Sequence, residues 1–312
     1  MKTALIINPC AGQRKAMKHL KEIAAVFQNA GDMTASFVTR RAGDGTRLAR
    51  RLSRYAGRIV CIGGDGTFHE VVQGVMQAEK RPPIGYIPAG TTNDMSRSLG
   101  LSHDMVQAAW DILDGVVQPL DIGRFGERAF TYVAAFGAFT RVSYRTPQKL
   151  KNLFGHAAYV WAGAKSLPTL RGQRMRIQTE SQLYHGEFIY GSLSNAVSLG
   201  GVLRFAPGLV DMGDGLLELL LIRVPRTPAE LADCVRAVAT RRFDSPLITL
   251  EQVHRAEVTA DPRMPWALDG EKAPGRRHIL LEADPGAIAV IRPCTNPRQP
   301  KVPHRFGKER EE

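Results

Sequence analysis

The apolar run Ile59–Ile62 (IVCI) passes directly into Gly63, Gly64, Asp65, Gly66 and Thr67, after which Val71, Val72 and Val75 recur at helical spacing. A buried strand that breaks at glycines and restarts as an amphipathic helix is half of a β-α-β unit. The same texture flanks it on both sides. Thr3–Ile7 reads as a strand, and Met17, Leu20, Ala24 and Phe27 then mark a helix that Gly31 can end. A strand near Ser36 to Thr39 precedes a basic helix with Leu48, Leu52 and Tyr55 on one face, and the strand IGYIP at 84–88 precedes GTTND and a helix from about Ser102 to Leu113. Repeated units of this kind require a mainly parallel sheet covered by helices on both faces.

Beyond Asp121 the pattern changes to strand-like runs separated by turn residues: FTYVAAFG, RMRIQTES, GEFIYGSLSN, LLELLLIRV, LEQVHRAEVTA and HILLEA. Two helices interrupt them, one around Gly155 to Leu167 and one from Thr227, with Pro228 after the cap and Glu230 at the capping-box position, to Arg242. The expected fold is an α/β N-terminal domain with a mainly parallel sheet plus a β-rich, sandwich-like C-terminal domain. The expected division is residues 1–125, residues 126–293 with the last segment able to pack back on the first domain, and a tail at 294–312 too polar to order. At 312 residues and 44% hydrophobic content, the chain has material for both cores.

Composition excludes several classes. Cys10, Cys61, Cys234 and Cys294 lie far apart, without zinc or disulfide spacing, and read as reduced thiols. The start, MKTALIINP, lacks the apolar core of an export signal, and no stretch approaches the ~18 apolar residues of a membrane span. A cytoplasmic protein is expected. The formal charge of +12 suits a nucleic acid, an anionic bilayer or a polyphosphate. No nucleic-acid-binding signature accompanies it, and Arg40, Arg41, Arg47, Arg50, Arg51, Arg54 and Arg58 read first as a solvated helix face.

The chemistry concentrates in loops. Gly63–Thr67 stands where a strand-to-helix turn aims free amides at phosphate oxygens, although it is neither GxGxxG nor a Walker loop. Asp65 there would repel phosphate unless a magnesium ion lay between them. Pro88 to Asp94 forms a second such loop, with Thr91, Asn93 and Asp94 supplying a hydroxyl, an amide and a carboxylate, or simply a helix cap. These two and the first loop, Asn8 to Gly12, should open on one crevice at the carboxyl ends of the strands. His69 could reach phosphate or merely fill a helix turn; His19, His103 and His185 look incidental.

The ordered set NPxxG, GGDGT and GTTND resembles the diacylglycerol kinase catalytic domain, shared by bacterial soluble lipid kinases with sphingosine and ceramide kinases. VSYRTPQKLKNLFGHAAYVWAG, DGLLELLLI and the late DGE extend the resemblance to the Gram-positive diacylglycerol kinases over about residues 1–293. It implies ATP contacts from Asn8, Pro9, Cys10, Ala11, Gly12, Thr39, Gly64, Asp65, Gly66, Thr67, Phe68, His69, Glu70 and Thr91, with Asn93 and Asp94 in the same loop set. It further implies Glu271 as proton acceptor for the lipid hydroxyl, with Asp269 beside it or reaching a catalytic magnesium through water. Ala11, Met95, Ser96 and Tyr132 depart from the residues usual in that family.

For a structural magnesium, the resemblance implies Asp214 with the carbonyls of Leu217 and Leu219, Asp211 being a second carboxylate nearby; a metal-free Asp-Gly turn is the alternative. The cofactors implied are ATP and Mg2+. The partners implied are a lipid substrate and the anionic inner face of a membrane, held by basic residues such as Lys149, Lys151, Lys165 and Arg171; nucleic acid is not expected, and a homodimer is left open. The rival readings are an NAD kinase, another lipid kinase, and a catalytically silent nucleotide-binding regulator.

Overall fold

A computed structural model describes residues 1–137, 172–201, 203–206 and 208–294. The expected helix at 155–167, the basic residues 149, 151, 165 and 171, and the tail beyond Cys294 lie outside the described residues.

The first domain is built on β1 (Lys2–Ile7), β2 (Met33–Val38), β3 (Arg58–Gly63) and β4 (Ile84–Pro88), all parallel in the order β2-β1-β3-β4. β1, β3 and β4 are buried almost throughout, as strands covered on both faces must be. On one face lie α1 (Lys15–Lys18), α2 (Leu20–Asn29) and, after α3 (Asp44–Leu52), α4 (Asp65–Met76) and α5 (Asp94–Ser98), α6 (Met105–Leu113). Ile23, Val26, Phe27, Ala108 and Ile112 of this layer pack on Leu5, Ile7, Val60, Ile62 and Ile87. α3 and α4 cover the opposite face, where Leu48, Ala49, Phe68, Val71 and Val75 meet Ala4, Ile6, Ile59, Cys61 and Tyr86. α6 begins three residues later than its apolar spacing suggests because Asp104 caps it, accepting the Val106 and Gln107 amides.

The remaining strands are β5 (Val116–Phe125), β6 (Arg128–Phe130), β7 (Val133–Gly137), β8 (Gln173–Gln178), β9 (Leu183–Ser194), β10 (Ser198–Leu199), β11 (Leu203–Arg204), β12 (Leu217–Arg223), β13 (Ile248–Val253), β14 (Arg255–Ala260), β15 (Trp266–Leu268), β16 (Glu271–Ala273) and β17 (His278–Arg292). β9 is the hub, antiparallel to β7, β8 and β12. Between β12 and β13, α7 (Pro228–Ala239) starts at Thr227 with both bonds of the capping box in place.

HILLEA, expected as a short strand, is the start of β17, which runs on to Arg292. Asp284-Pro285-Gly286 is turn chemistry, yet here it forms an irregularity within the strand rather than its end. Asp121 holds it there: the two carboxylate oxygens accept the Gly286 and Gly215 amides, each at 2.6 Å. β17 pairs with β5 on both sides of that point and reaches β4 at Val290, so a hydrogen-bonded path runs from the parallel sheet into the antiparallel one.

Candidate active site

Parallel register determines where the loops open. Ile7 is level with Val38 and Ile62, and Gly63 is level with Pro88, so Asn8, Thr39, Gly64 and Ala89 leave the sheet at one rim. Strand order reverses at β1, and the crevice at such a reversal is where open α/β sheets bind ligands.

The loops are backbone-to-backbone. A Cβ on Gly90 would lie 2.7 Å from Gly64 Cα, and one on Gly12, whose φ is +55°, would lie 2.0 Å from the Ala89 carbonyl oxygen. Asn8 accepts the Cys10 amide at 3.0 Å and donates to Thr67 Oγ1 at 3.0 Å, joining the first loop to the second. A Cβ on Gly66 would meet nothing within 4 Å, so the start of α4 faces open space. First-turn amides of a helix lack intrahelical acceptors, which makes this rim suited to phosphate oxygens. Cys10, Thr91 and Thr92 are exposed on it; Pro9 and Ala11 are half-buried.

The carboxylates are held in distinct ways. Asp65 accepts the Asp94 and Met95 amides at 3.0 and 3.2 Å, capping α5 from outside. Burial raises its pKa, with those two amides opposing the shift. Asp65 therefore orders the third loop. Asn93, at φ +49°, closes that loop by accepting the Gly90 amide at 2.9 Å and donating to the Gly90 carbonyl at 2.8 Å. Asp94 reaches the second domain, accepting Ser198 Oγ at 2.7 Å and the Gly201 amide at 3.2 Å.

Three of the expected nucleotide contacts have other partners. Phe68 is fully buried, its ring 4.7 Å from that of Tyr86. Glu70 accepts the Gly43 and Gly45 amides, each at 2.8 Å, and so caps α3. Thr39 is buried with its hydroxyl on the Ile7 carbonyl at 3.3 Å. A strand-to-helix motif places alternate side chains on core and rim, and the spacing alone did not separate them.

The acid turn lies across from α4. Asp269, at φ +49°, accepts the amides of Thr131, Tyr132 and Val133 at 2.5, 3.0 and 3.0 Å, and its Oδ2 stands 2.6 Å from His69 Nδ1. Thr131 Oγ1 is 2.9 Å from the same nitrogen. Burial acts to lower the His69 pKa, but the hydrogen bond and charge of Asp269, with the charges of Glu271 and Glu70, outweigh it and the pKa is raised. Glu271 is exposed at the start of β16, without a hydrogen-bond partner among the described residues. Thr131 carried no signal in the sequence; its role follows from the fold.

A family model for the diacylglycerol kinase catalytic domain matches residues 2–125, and one for the YegS C-terminal NAD kinase beta sandwich-like domain matches residues 133–292. The diacylglycerol kinase of Bacillus subtilis (strain 168) is 34% identical over 278 residues, which is 87% of this chain and 90% of that protein. The chain belongs to the diacylglycerol kinase catalytic-domain family. The diacylglycerol kinase of Staphylococcus carnosus (strain TM300) is 33% identical over 86% of this chain and 87% of its own length. A crystal structure of a diacylglycerol kinase from Bacillus anthracis str. Sterne shares the fold, with a TM-score of 0.72 at 23% identity, covering 95% of this chain and 97% of that one.

As for the metal that this diacylglycerol kinase family resemblance implied, no group of three His, Cys, Asp or Glu among the described residues could hold a metal ion. Leu219 is paired on both sides, with Glu251 and Leu193, so its carbonyl is inside the sheet rather than on a free edge, and Leu217 is paired with Val253. Asp211 and Asp214 are turn residues, accepting the Gly213 and Leu216 amides at 3.1 and 2.9 Å. Magnesium usually takes one or two carboxylates plus substrate phosphates and water, so the ion would enter with the nucleotide rather than sit in a cage of protein ligands.

Proposed function

We propose that this chain transfers the γ-phosphoryl group of ATP to the free hydroxyl of diacylglycerol, giving phosphatidic acid and ADP. The observation that carries the reading is the His69–Asp269 pair at 2.6 Å, which holds the acid turn of the second domain against the helix that begins in the phosphate loop of the first. Only such a juxtaposition lets one nucleotide and one alcohol meet.

In this mechanism the amides at the start of α4 and of the Asn8–Gly12 loop hold the ATP phosphates, with the Thr91 hydroxyl beside them. The lipid oxygen attacks γ-phosphorus in line, its proton passes to Glu271, and the bond to the β-phosphate oxygen breaks as ADP leaves. Asp269 does not take the proton; with both oxygens engaged, it fixes the turn that carries Glu271. Magnesium, entering with ATP, would supply charge neutralisation on the phosphates, which leaves the Glu271 carboxylate to take the proton. Positioning and charge neutralisation are what phosphoryl transfer chiefly requires.

Access to a lipid implies a peripheral place at an anionic membrane surface, and no described helix is long and apolar enough to cross a membrane. The test is a radiolabelled-ATP screen over mixed micelles of diacylglycerol, sphingosine and ceramide, with NAD as a soluble acceptor, with and without magnesium. Magnesium-dependent label in phosphatidic acid is expected. Label in NAD or a sphingoid base in preference to diacylglycerol would overturn the acceptor; no label in any acceptor would favour a nucleotide-binding regulator.

A further inference from the structure

Away from the phosphate rim, the outward face of β8, β9 and β14 carries exposed arginines. β8 alternates Arg174, Arg176 and Gln178 outward with Met175 and Ile177 inward. Register sets Arg176 beside His185 of β9 and Thr259 of β14, and Thr259 beside His278 of β17. Where this face ends, an open cleft of about 570 Å³ is lined by Arg174, Thr259, Arg263 and Arg277, together with Ala260, Asp261 and Pro262. A second depression on the other side of Arg174 adds Met175, Gly186 and Glu187.

Glu282, level with Arg255, and Glu180, which accepts the Arg255 amide at 2.7 Å, are among the acids of this face, and its arginines still outnumber them. Glu187 is shared between Arg174 at 2.7 Å and Arg226 at 3.0 Å, Asp261 pairs with Arg263 at 2.8 Å, and Glu257 pairs with Arg255. Arg176, Arg276 and Arg277 are exposed without an acid partner among the described residues. The paired arginines are themselves mostly solvent-facing, Arg174 by 87% and Arg263 by 89%, and exposed pairs of that kind are weak enough to exchange a carboxylate for a phosphate. Leu183 and Leu280 are large apolar side chains left exposed on the same face.

We propose that this face docks the chain on anionic phospholipid headgroups, with the cleft between Arg174, Arg263 and Arg277 receiving a headgroup phosphate. Guanidinium groups spread over an open, shallow face match a plane of many phosphates better than one enclosed ligand, and arginine forks suit phosphate geometry. Flanking leucines add apolar contact at the interface. The choice of a lipid surface as occupant rests on the lipid-acceptor reading above; the docking measurement itself needs no turnover.

The test is co-sedimentation of the full chain with vesicles of phosphatidylcholine alone or mixed with phosphatidylglycerol. The chain should bind the anionic vesicles and release as salt rises, since the Debye length shrinks to about 3 Å at 1 M. Arg174→Glu combined with Arg277→Glu should weaken that binding about tenfold or more. Arg50→Glu combined with Arg54→Glu, the same charge change on and just after α3, should weaken it far less. Turnover of diacylglycerol in detergent micelles should be equal in wild type and the first pair. Equal binding to both vesicle types, equal loss from the two charge reversals, or displacement by inorganic phosphate at constant ionic strength would each overturn the proposal. Vesicle binding without turnover by any form would instead leave docking intact and remove the kinase reading.

Discussion

Asp269 accepts three backbone amides and stands against an imidazole, whereas Glu271, two residues on, faces solvent. Replacing Glu271 with Gln should lower kcat by about 10²–10⁴-fold while leaving the melting temperature nearly unchanged. Replacing Asp269 with Asn should lower both, because an NH2 donor replaces one of the two oxygens that together accept the Thr131, Tyr132 and Val133 amides and meet His69; parallel kinase assays and thermal melts distinguish the two. At His69 the folded pKa is raised, so its pairing with Asp269 stabilises fully below the unfolded value near 6.5 and fades as pH rises through the folded value. His69→Asn can retain the bond to Asp269 without titrating, and its melting temperature should vary less with pH between about 6 and 9 than that of wild type. Glu218 shifts in the same direction, against the habit of an acid: burial pushes its pKa up to about 8, the Gln252 bond opposes this, and the charges of Asp214 and Asp211 add to it. The folded state then holds a proton that the unfolded state releases, so stability falls as pH rises from about 4.5 to 8. Glu218→Gln should therefore gain melting temperature over wild type at pH 8 but not at pH 5.

Among the elements, helix starts are the points of control. Glu70 caps α3 and Asp65 caps α5, so acids carried by α4 organise two other helices around the phosphate rim. Glu70→Ala should cost about 1 kcal/mol, and hydrogen exchange should show the loss first in α3. Asp65→Ala should abolish lipid phosphorylation by releasing α5 and the loop before it, and exchange in residues 89–98 should rise even where the rest of the fold persists. At Gly12, a methyl group would enter the Ala89 carbonyl from a left-handed backbone, so Gly12→Ala should lower the melting temperature more than Gly66→Ala, whose new methyl meets no protein atom.

For the molecule as a whole, β17 returns the end of the second domain to β4 of the first, and one apolar cluster spans both, joining Phe68 and Tyr86 to Tyr132, Tyr190 and Leu220. A fragment of residues 1–125 would lose the strand beside β4 and β5 and expose that cluster. It should not melt cooperatively, whereas the full chain should unfold with a single main transition by circular dichroism and tryptophan fluorescence alike.

Periodicity in the sequence was enough for the alternation of the first domain, since a buried strand and a one-faced helix admit few packings, and β4 matched its apolar run from Ile84 to Pro88; β2 starts at Met33 rather than near Ser36, Tyr55 is exposed beyond the end of α3, and the short α5 gave no periodic signal. The glycine loops and the acid pair were legible because close backbone approach and charge restrict residue choice to a few types. β17 was cut short in the reading because Asp284-Pro285-Gly286 is locally a turn, and only Asp121, 163 residues upstream of Asp284, holds it within a strand. Division of labour among the acids was equally nonlocal. Asp65, Glu70, Asp94, Asp269 and Glu271 are alike as residues, and what each does depends on which amides or hydroxyls the folded chain brings within 3 Å or so of it. Such partners are set by packing between elements far apart in the chain, which no local pattern encodes.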